Sequence, residues 1–339
     1  MHWDKYASLF RNEARRNKLS EDRINQLLLY AEKLYKSNLP IIYDQYHLCQ
    51  LIGINHEYIY KMTNAPEYFY RTFYIPKSNG KRRRIDEPLP DLKKVQKWIL
   101  SELLYNVSCS KYAKAYIPKL SIKNNVRFHV GQKMVVTLDI KNFFSSLTLG
   151  KVLNIFLSLG YTLPVSVMLS HLCCYNNSLP QGAPTSAYIS NLILSGFDET
   201  IGSYAMKNRI RYTRYADDLT LSGDFNIVDV LDLVDKELSY LGLYRNYKKF
   251  KVMRKDNSQI VTGVVVNKKM QLPREYRQKI RQEIYYIEQY GISSHISHLN
   301  ETRANYICHL KGKIHYCLFV NPNDNKMKEY LIKLDSFLL

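Results

Sequence analysis

Three carboxylates indicate what chemistry this chain can do. Asp217 and Asp218 are adjacent in RYADDLTLS (214–222), between an aromatic residue and a run that alternates apolar and hydroxyl side chains. Asp139 lies near the end of the otherwise apolar MVVTLDI (134–140). A carboxylate on a buried strand is costly unless it is paired, solvated or bound to metal. A surface DD pair or a strand-end Asp is ordinary by itself; the combination of the three is the electrostatic signature of a divalent-cation site. Hard oxygen ligands suit Mg²⁺, which binds few protein carboxylates and keeps substrate phosphates among its ligands. Two such ions about 3.5–4 Å apart clamp the attacking and leaving oxygens of an in-line phosphoryl transfer.

The elements that must position these residues alternate. MVVTLDI reads as a buried strand, and APTSAYISNLILSGFDETI (183–201) as a helix with Pro184 near its first turn. IRYTRYADDLTLSG (210–223) reads as a hairpin with ADD at its tip. VDVLDLVDKELSYLG (228–242) is an amphipathic helix stopped by Gly242, and QIVTGVVVN (259–267) a strand. The order β-α-ββ-α-β is a split βαβ arrangement, an antiparallel sheet backed by helices. Its first strand and central hairpin are neighbours, so Asp139 can meet the hairpin tip. Successive strand side chains point to opposite faces. Only the turn could therefore bring both adjacent aspartates to one metal, and the expectation is that Asp139 and Asp217 are the main ligands, with Asp218 in support.

Upstream, residues 1–65 read as helical, with Ile24, Leu27, Leu28, Ala31 and Leu34 at helical spacing. YRTFYIPKSNGKRRRIDEP (70–88) reads as a hairpin turning at Asn79-Gly80. Its four bases, Lys81 to Arg84, are either a solvated face or a phosphate clamp. Beyond Pro273 a helical region rich in Tyr, Lys and Arg begins. With 339 residues, 46% of them hydrophobic, the chain can bury the core of two or three subdomains. Its 49 Lys+Arg against 30 Asp+Glu give a net charge of +19, which favours a polyanionic partner over an anionic membrane surface. No stretch offers the ~20 apolar residues of a spanning helix, and MHWDKYASLFRNEARR has no signal-like apolar core. The expectation is a cytoplasmic, nucleic-acid-binding protein with no membrane partner. The six cysteines form no disulfide framework, and Cys308, His309, His315 and Cys317 match no common zinc spacing. Some of the 29 tyrosines are candidates to stack on bases or sugars.

LDIKNFF (138–144), LPQGAPTSAYISNLIL (179–194), YADD (215–218), NYKKF (246–250) and VTGVVVN (261–267) resemble, in order, the palm motifs of reverse transcriptases, and residues 70–88 resemble that family's fingers. Within the family, NNVRFHVG (124–131), VTG (261–263) and LKGKIHYCLFVNP (310–322) are similar to features of bacterial retron enzymes. Two departures are Asn125, where a small residue is usual, and AKAYIPKLSI (113–122), which lacks the usual glycines. The resemblance implies an α+β right-hand polymerase fold: a helical N-terminal extension (1–65), fingers (66–133), a palm with a split βαβ antiparallel sheet (134–268, fingers elements interleaved near 150–185) and a helical RNA-binding thumb (269–339). It implies catalytic and metal roles for Asp139, Asp217 and Asp218, with two Mg²⁺ ions that Mn²⁺ can replace. Lys249, or alternatively Lys248, would protonate the leaving pyrophosphate. Lys81, Arg84, Phe144, Gln181 and Gly182 would bind the dNTP, with Phe144 excluding a 2′-hydroxyl. Ala216 would lie beneath the primer end. Asn124, His129, Lys311 and Lys313 would contact RNA. The implied partners are a cognate structured non-coding RNA, serving as template and primer, its branched 2′–5′ linked DNA product, dNTPs and an effector protein in antiphage defence. Another reverse-transcriptase branch, protein-primed or untemplated, and a catalytically silent RNA-binding scaffold are the alternatives.

Overall fold

The computed structural model describes residues 2–76, 80–300, 303 and 305–336. They fall into two compact units, one of Met1–Ile117, Lys141–Glu199 and Glu237–Tyr244, the other of Pro118–Ile140, Thr200–Lys236 and Arg245–Leu339.

The first unit begins with α1 (Trp3–Arg16), α2 (Glu21–Lys36), α3 (Gln45–Ile52) and α4 (His56–Asn64). Local chemistry marks their ends. The Ser20 hydroxyl accepts from Arg23 N at the start of α2, the Asp44 carboxylate accepts from His47 N at the start of α3, and Gly53 takes a left-handed φ of 71° just past the end of α3. Strands β1 (Tyr70–Pro76) and β2 (Arg82–Pro88) then pair antiparallel, Tyr74 opposite Arg84 and Phe73 opposite Ile85. The expected turn residue Asn79 lies outside the described residues; Gly80 has φ 76°. Next come α5 (Pro90–Trp98) and, later in the chain, α6 (Ile122–Val126), which belongs to the second unit. The first unit continues through α7 (Phe143–Ser146), α8 (Leu149–Ser158), α9 (Leu163–Cys173) and α10 (Ser186–Ile193). The buried Gln96 side chain of α5 donates to Tyr70 Oη and to the carbonyl of Leu172, both at 2.8 Å, tying the base of the β1–β2 hairpin to α9.

In the second unit, β3 (Met134–Asp139), β4 (Arg211–Tyr215), β5 (Asp218–Gly223) and β6 (Lys251–Arg254) form an antiparallel sheet in the order β4-β5-β3-β6. Helices α11 (Ser195–Lys207) and α12 (Ile227–Tyr240) flank the β4–β5 hairpin in sequence, so the split βαβ order is realised. The segment 259–267 differs from expectation. It is not one sheet strand but a small hairpin, β7 (Ile260–Val261) and β8 (Val264–Val265), and the fourth strand of the sheet is the preceding KVMR. The reason is backbone conformation: Thr262 and Gly263 have φ of 45° and 83°, which no continuous strand tolerates.

The register sorts the sheet into two faces. Asp139 lies opposite Asp218, Thr137 opposite Thr220, and Val135 opposite Ser222. The period-two pleat therefore puts Asp139, Thr137, Asp218, Thr220, Ser222 and Thr213 on one largely polar face. The other face carries Val136, Leu138, Leu219, Leu221 and Tyr212, all buried. Beyond the sheet, α13 (Arg274–Tyr290), α14 (Ile292–His298), α15 (Tyr306–Val320) and α16 (Asn325–Ser336) form a helical layer. The stripe Ile280, Ile284 and Ile287 of α13 packs with Leu310, Ile314 and Val320 of α15 in a core that reaches Val126, Val135 and Val261.

Candidate active site

The tip of the β4–β5 hairpin is a two-residue turn, Ala216-Asp217. Ala216 sits at φ 59°, a left-handed conformation that costs an L residue about 1–2 kcal/mol. Two bonds hold it there. The buried Arg214 donates through Nη1 to the Ala216 carbonyl at 3.1 Å, and Ile140 N donates to the Asp217 carbonyl at 3.0 Å. Asp217 is thus placed by the turn and Asp218 by the ladder. Asp139, Asp217 and Asp218 each offer an oxygen within 4.8 Å of the others. Among the described residues, no other group of three or more His, Cys, Asp or Glu side chains converges in this way. Cys308 is exposed and Cys317 buried, and both are free thiols.

A second loop is drawn onto Asp139. Arg245 forks onto Asp235 with two 2.6 Å bonds and packs its guanidinium over the ring of Tyr247 at 4.9 Å. This anchors residues 245–250, and the Asn246 backbone N–H donates to the Asp139 carbonyl at 2.7 Å. The Asn246 side chain donates to Asp139 Oδ1 at 3.0 Å, and Lys249 Nζ bonds Oδ2 at 2.5 Å. Of the adjacent lysines, Lys249 is the one that reaches the acidic group; Lys248 is exposed. Burial, then the charges of Asp217 and Asp139, push the Asp218 carboxyl up to about 6 against the pull of Lys249. For Lys249, burial works downward, but the bond to Asp139 and the three carboxylates prevail and raise its pKa. The donor set, all hard oxygen, and the mutual repulsion that only positive charge relieves both fit divalent cations. Asp139 and Asp218 open into a groove of about 450 Å³ lined also by Thr137, Thr220, Lys251, Met253 and Thr262.

In the other unit, Arg84, Gln181 and Gly182 adjoin one another. Asp86 N donates to the Gln181 carbonyl at 2.9 Å, and the Asp86 carboxylate takes Arg84 Nε at 2.9 Å and the Thr72 hydroxyl at 2.7 Å. Lys81 is exposed just before β2, and Phe144 is half-buried on α7, whereas Phe143 is the core residue of that pair.

Of the residues expected to touch RNA, His129 is placed otherwise. His129 has no exposed surface and bonds Ser222 Oγ and Thr213 Oγ1, so it cannot contact RNA; this corrects the expectation. Asn124 closes the capping box of α6, accepting from Ser121 N at 2.9 Å. Lys311 is paired with Asp335, and Lys313 with Glu283 at 3.0 Å. Two residues that the sequence reading passed over are functional in geometry. Asn246 was visible only as part of a motif, and Asn125, read as a departure, is fully buried with both ends of its amide bonded.

Comparison with known proteins agrees with this arrangement. Residues 75–284 match the family model described as reverse transcriptase (RNA-dependent DNA polymerase). The retron Ec86 reverse transcriptase of Escherichia coli is 34% identical over 310 residues, spanning 90% of this chain and 93% of that protein. The retron Mx65 reverse transcriptase of Myxococcus xanthus is 30% identical over 324 residues, 88% and 73% of the two chains. The chain belongs to the reverse transcriptase family, in its retron branch. It is an RNA-directed DNA polymerase with the right-hand α+β fold of that family. No helix among the described residues is long and apolar enough to cross a membrane.

Proposed function

We propose that this polymerase copies a structured non-coding RNA into a branched, 2′–5′ linked single-stranded DNA in the cytoplasm, and that it acts with an effector protein in antiphage defence. The observation that carries the catalytic part is the convergence of Asp139, Asp217 and Asp218 with Lys249 on the acidic end of one sheet face. The retron relatives carry the choice of template and product.

In this reading Asp139, Asp217 and Asp218 hold two Mg²⁺ ions, or Mn²⁺ in their place. Bound there, the ions would supply the charge that acidifies the primer hydroxyl and neutralises the triphosphate. Asn246 keeps the Asp139 carboxylate turned toward the site. Lys249, whose raised pKa keeps it protonated at neutral pH, gives its proton to the leaving pyrophosphate oxygen. Lys81 and Arg84 bind the triphosphate, and Asp86 holds the Arg84 guanidinium in one orientation. Gln181 and Gly182 line the sugar and base, and Phe144 blocks a 2′-hydroxyl. The parts are a helical extension to residue 65, fingers 66–133, palm 134–268 and an RNA-reading thumb from 269. The thumb's exposed Tyr285 and Tyr290 and its basic surface suit backbone and shape recognition of an RNA stem.

The test is incorporation of labelled dNTPs on a cognate RNA by the purified protein in Mg²⁺, wild type against Asp217→Asn. The wild type should extend and leave a product that only a 2′–5′ debranching activity releases from RNA. Equal incorporation by the two proteins would refute the metal site, and an unbranched product would refute the retron reading.

A further inference from the structure

The polar sheet face that carries Asp139 and Asp218 is open at the acidic end and plugged at the other. The plug is the segment 121–131. Thr213 on β4 pairs with Thr220, and Ser222 lies two residues further along β5, so Thr213 and Ser222 are diagonal neighbours on the face that presents Asp218. His129 bridges them, with Nε2 2.8 Å from Thr213 Oγ1 and Nδ1 2.7 Å from Ser222 Oγ. Asn125 extends the chain: its Oδ1 accepts from Thr213 Oγ1 at 2.7 Å, and its Nδ2 donates to Thr262 Oγ1 at 3.3 Å. His129, Asn125 and Ser222 have no exposed surface, and Thr213 has 1%.

Hydrogen counting gives this chain one direction. Thr213 has a single hydroxyl hydrogen, and it goes to Asn125 Oδ1. Thr213 must therefore accept from His129, which makes His129 the neutral Nε2–H tautomer. Its Nδ1 then accepts from the Ser222 hydroxyl. The order runs Ser222 to His129 to Thr213 to Asn125 to Thr262, with the Ser222, His129 and Thr213 hydrogens each used once. Its far end is a strained residue. Thr262 is β-branched at φ 45°, where such residues are genuine outliers, and it lines the groove that also holds Asp139, Asp218 and Lys249. A Thr-Gly turn of this kind would be more comfortable as Asn-Gly, so surrounding contacts must over-determine it.

We propose that Asn125 and His129 are positioning residues: through Thr213, Ser222 and Thr262 they set the Asp217–Asp218 hairpin against the strained turn that forms the far wall of the same groove. The proposal rests on the polymerase reading of that groove. The network spans both strands of the hairpin and a separate loop, so no single backbone ladder duplicates it. Loss of the network lets the Thr262 turn move against the hairpin, which stays laddered to β3, and so reshapes the groove at the carboxylates without altering the nucleotide-binding residues, which lie elsewhere in the chain.

The test pairs Thr213→Val, which keeps the branched shape and removes the hydroxyl, with Thr213→Ser, which restores it. Thr213→Val should lower kcat for dNTP incorporation by about 10–100-fold, the scale of a small misplacement of reacting groups. The dNTP KM should stay within about twofold of wild type, and Thr213→Ser should recover most of kcat. A folded Thr213→Val with wild-type kcat would overturn the positioning role, as would a loss that appears in KM alone. Should Thr213→Val fail to fold, Ser222→Ala removes one link of the chain and must show the same split. Independently, ¹⁵N NMR of the histidine-labelled wild type should report His129 as the Nε2–H tautomer. An Nδ1–H signal would reverse the order and overturn the assignment. That measurement needs no turnover, so it separates failure of this network from failure of the polymerase reading.

Discussion

Gly182→Ala offers a sharp test of how the nucleotide-side residues are held. Gly182 has φ 139°, and a Cβ there would stand 2.7 Å from the Asp86 carbonyl oxygen and 3.0 Å from Ile85 Cγ2. The nearer atom is backbone in β2 and cannot rotate aside. The loop cannot easily retreat either, because the neighbouring Gln181 carbonyl is bonded to Asp86 N at 2.9 Å. Backbone strain at such a φ and the overpacking each cost on the order of 1–3 kcal/mol, so the substitution should destabilise by about 2–4 kcal/mol. On the usual scale for domains of 150–250 residues this is a drop in thermal midpoint on the order of 10 °C. Relief of the clash displaces β2 and with it Arg84, so the dNTP KM should rise by about tenfold or more. Urea denaturation and steady-state incorporation read the two effects. Gly150→Ala is the control. Gly150 lies in α8 with nothing near its Cβ position, and the change should stabilise by about 0.5–1 kcal/mol. A Gly182→Ala protein with unchanged midpoint would refute the close approach of loop and strand.

Two further outcomes follow from burial and from the sugar contact proposed for Phe144. Burial, aided by Arg211, holds the His129 pKa at about 3, below its ordinary 6.5. The stability that a neutral His129 contributes is therefore whole above pH 6.5 and erodes as pH falls toward 3, by roughly 2 kcal/mol at pH 5. Asp218, raised to about 6, acts with the opposite sign: it favours the folded state as pH falls through 6. Metal-free Asp218→Asn should therefore lose stability between pH 7 and 5 more steeply than wild type in urea titrations, and parallel profiles would refute the pairing of signs. Phe144→Ala should raise ribonucleotide use relative to deoxyribonucleotide by about tenfold or more, measured by competition on one template; unchanged selectivity would remove Phe144 from the sugar pocket.

The elements with strong local signals were readable before the structure. The helix 274–290 begins after Pro273 and carries Ile280, Ile284 and Ile287 on one stripe, and the hairpin around Asp217 alternates cleanly on both arms. The failures have identifiable physics. QIVTGVVVN has the composition of a strand, and only the paired positive φ values at Thr262 and Gly263 break it; a Thr in that conformation is an exception no propensity anticipates. The resemblance of NNVRFHVG to a retron feature assigns His129 to RNA, yet its partners Thr213 and Ser222 are 84 and 93 positions away. Contacts of that range leave no periodic trace. Asn125 was misjudged for the same reason: its value depends on Thr213 and Thr262, distant in sequence and silent by type.

The acidic cluster also explains how a strongly basic chain keeps three carboxylates together before any cation arrives. Two partners share Asp139 and do different work. Asn246 is half-buried, bonded through backbone and side chain alike, and sits on a loop anchored by the Arg245–Asp235 fork, so it stays where it is. Lys249 keeps 61% of its side chain exposed although Asp139 is buried, so its ammonium can leave for solvent only when another cation neutralises that carboxylate. Such a pair yields readily to a divalent ion that satisfies all three acids at once. The lysine is thus the exchangeable cation and the asparagine the permanent brace. That division would leave the residue that balances the resting charge free to act in the proposed proton transfer to the leaving group.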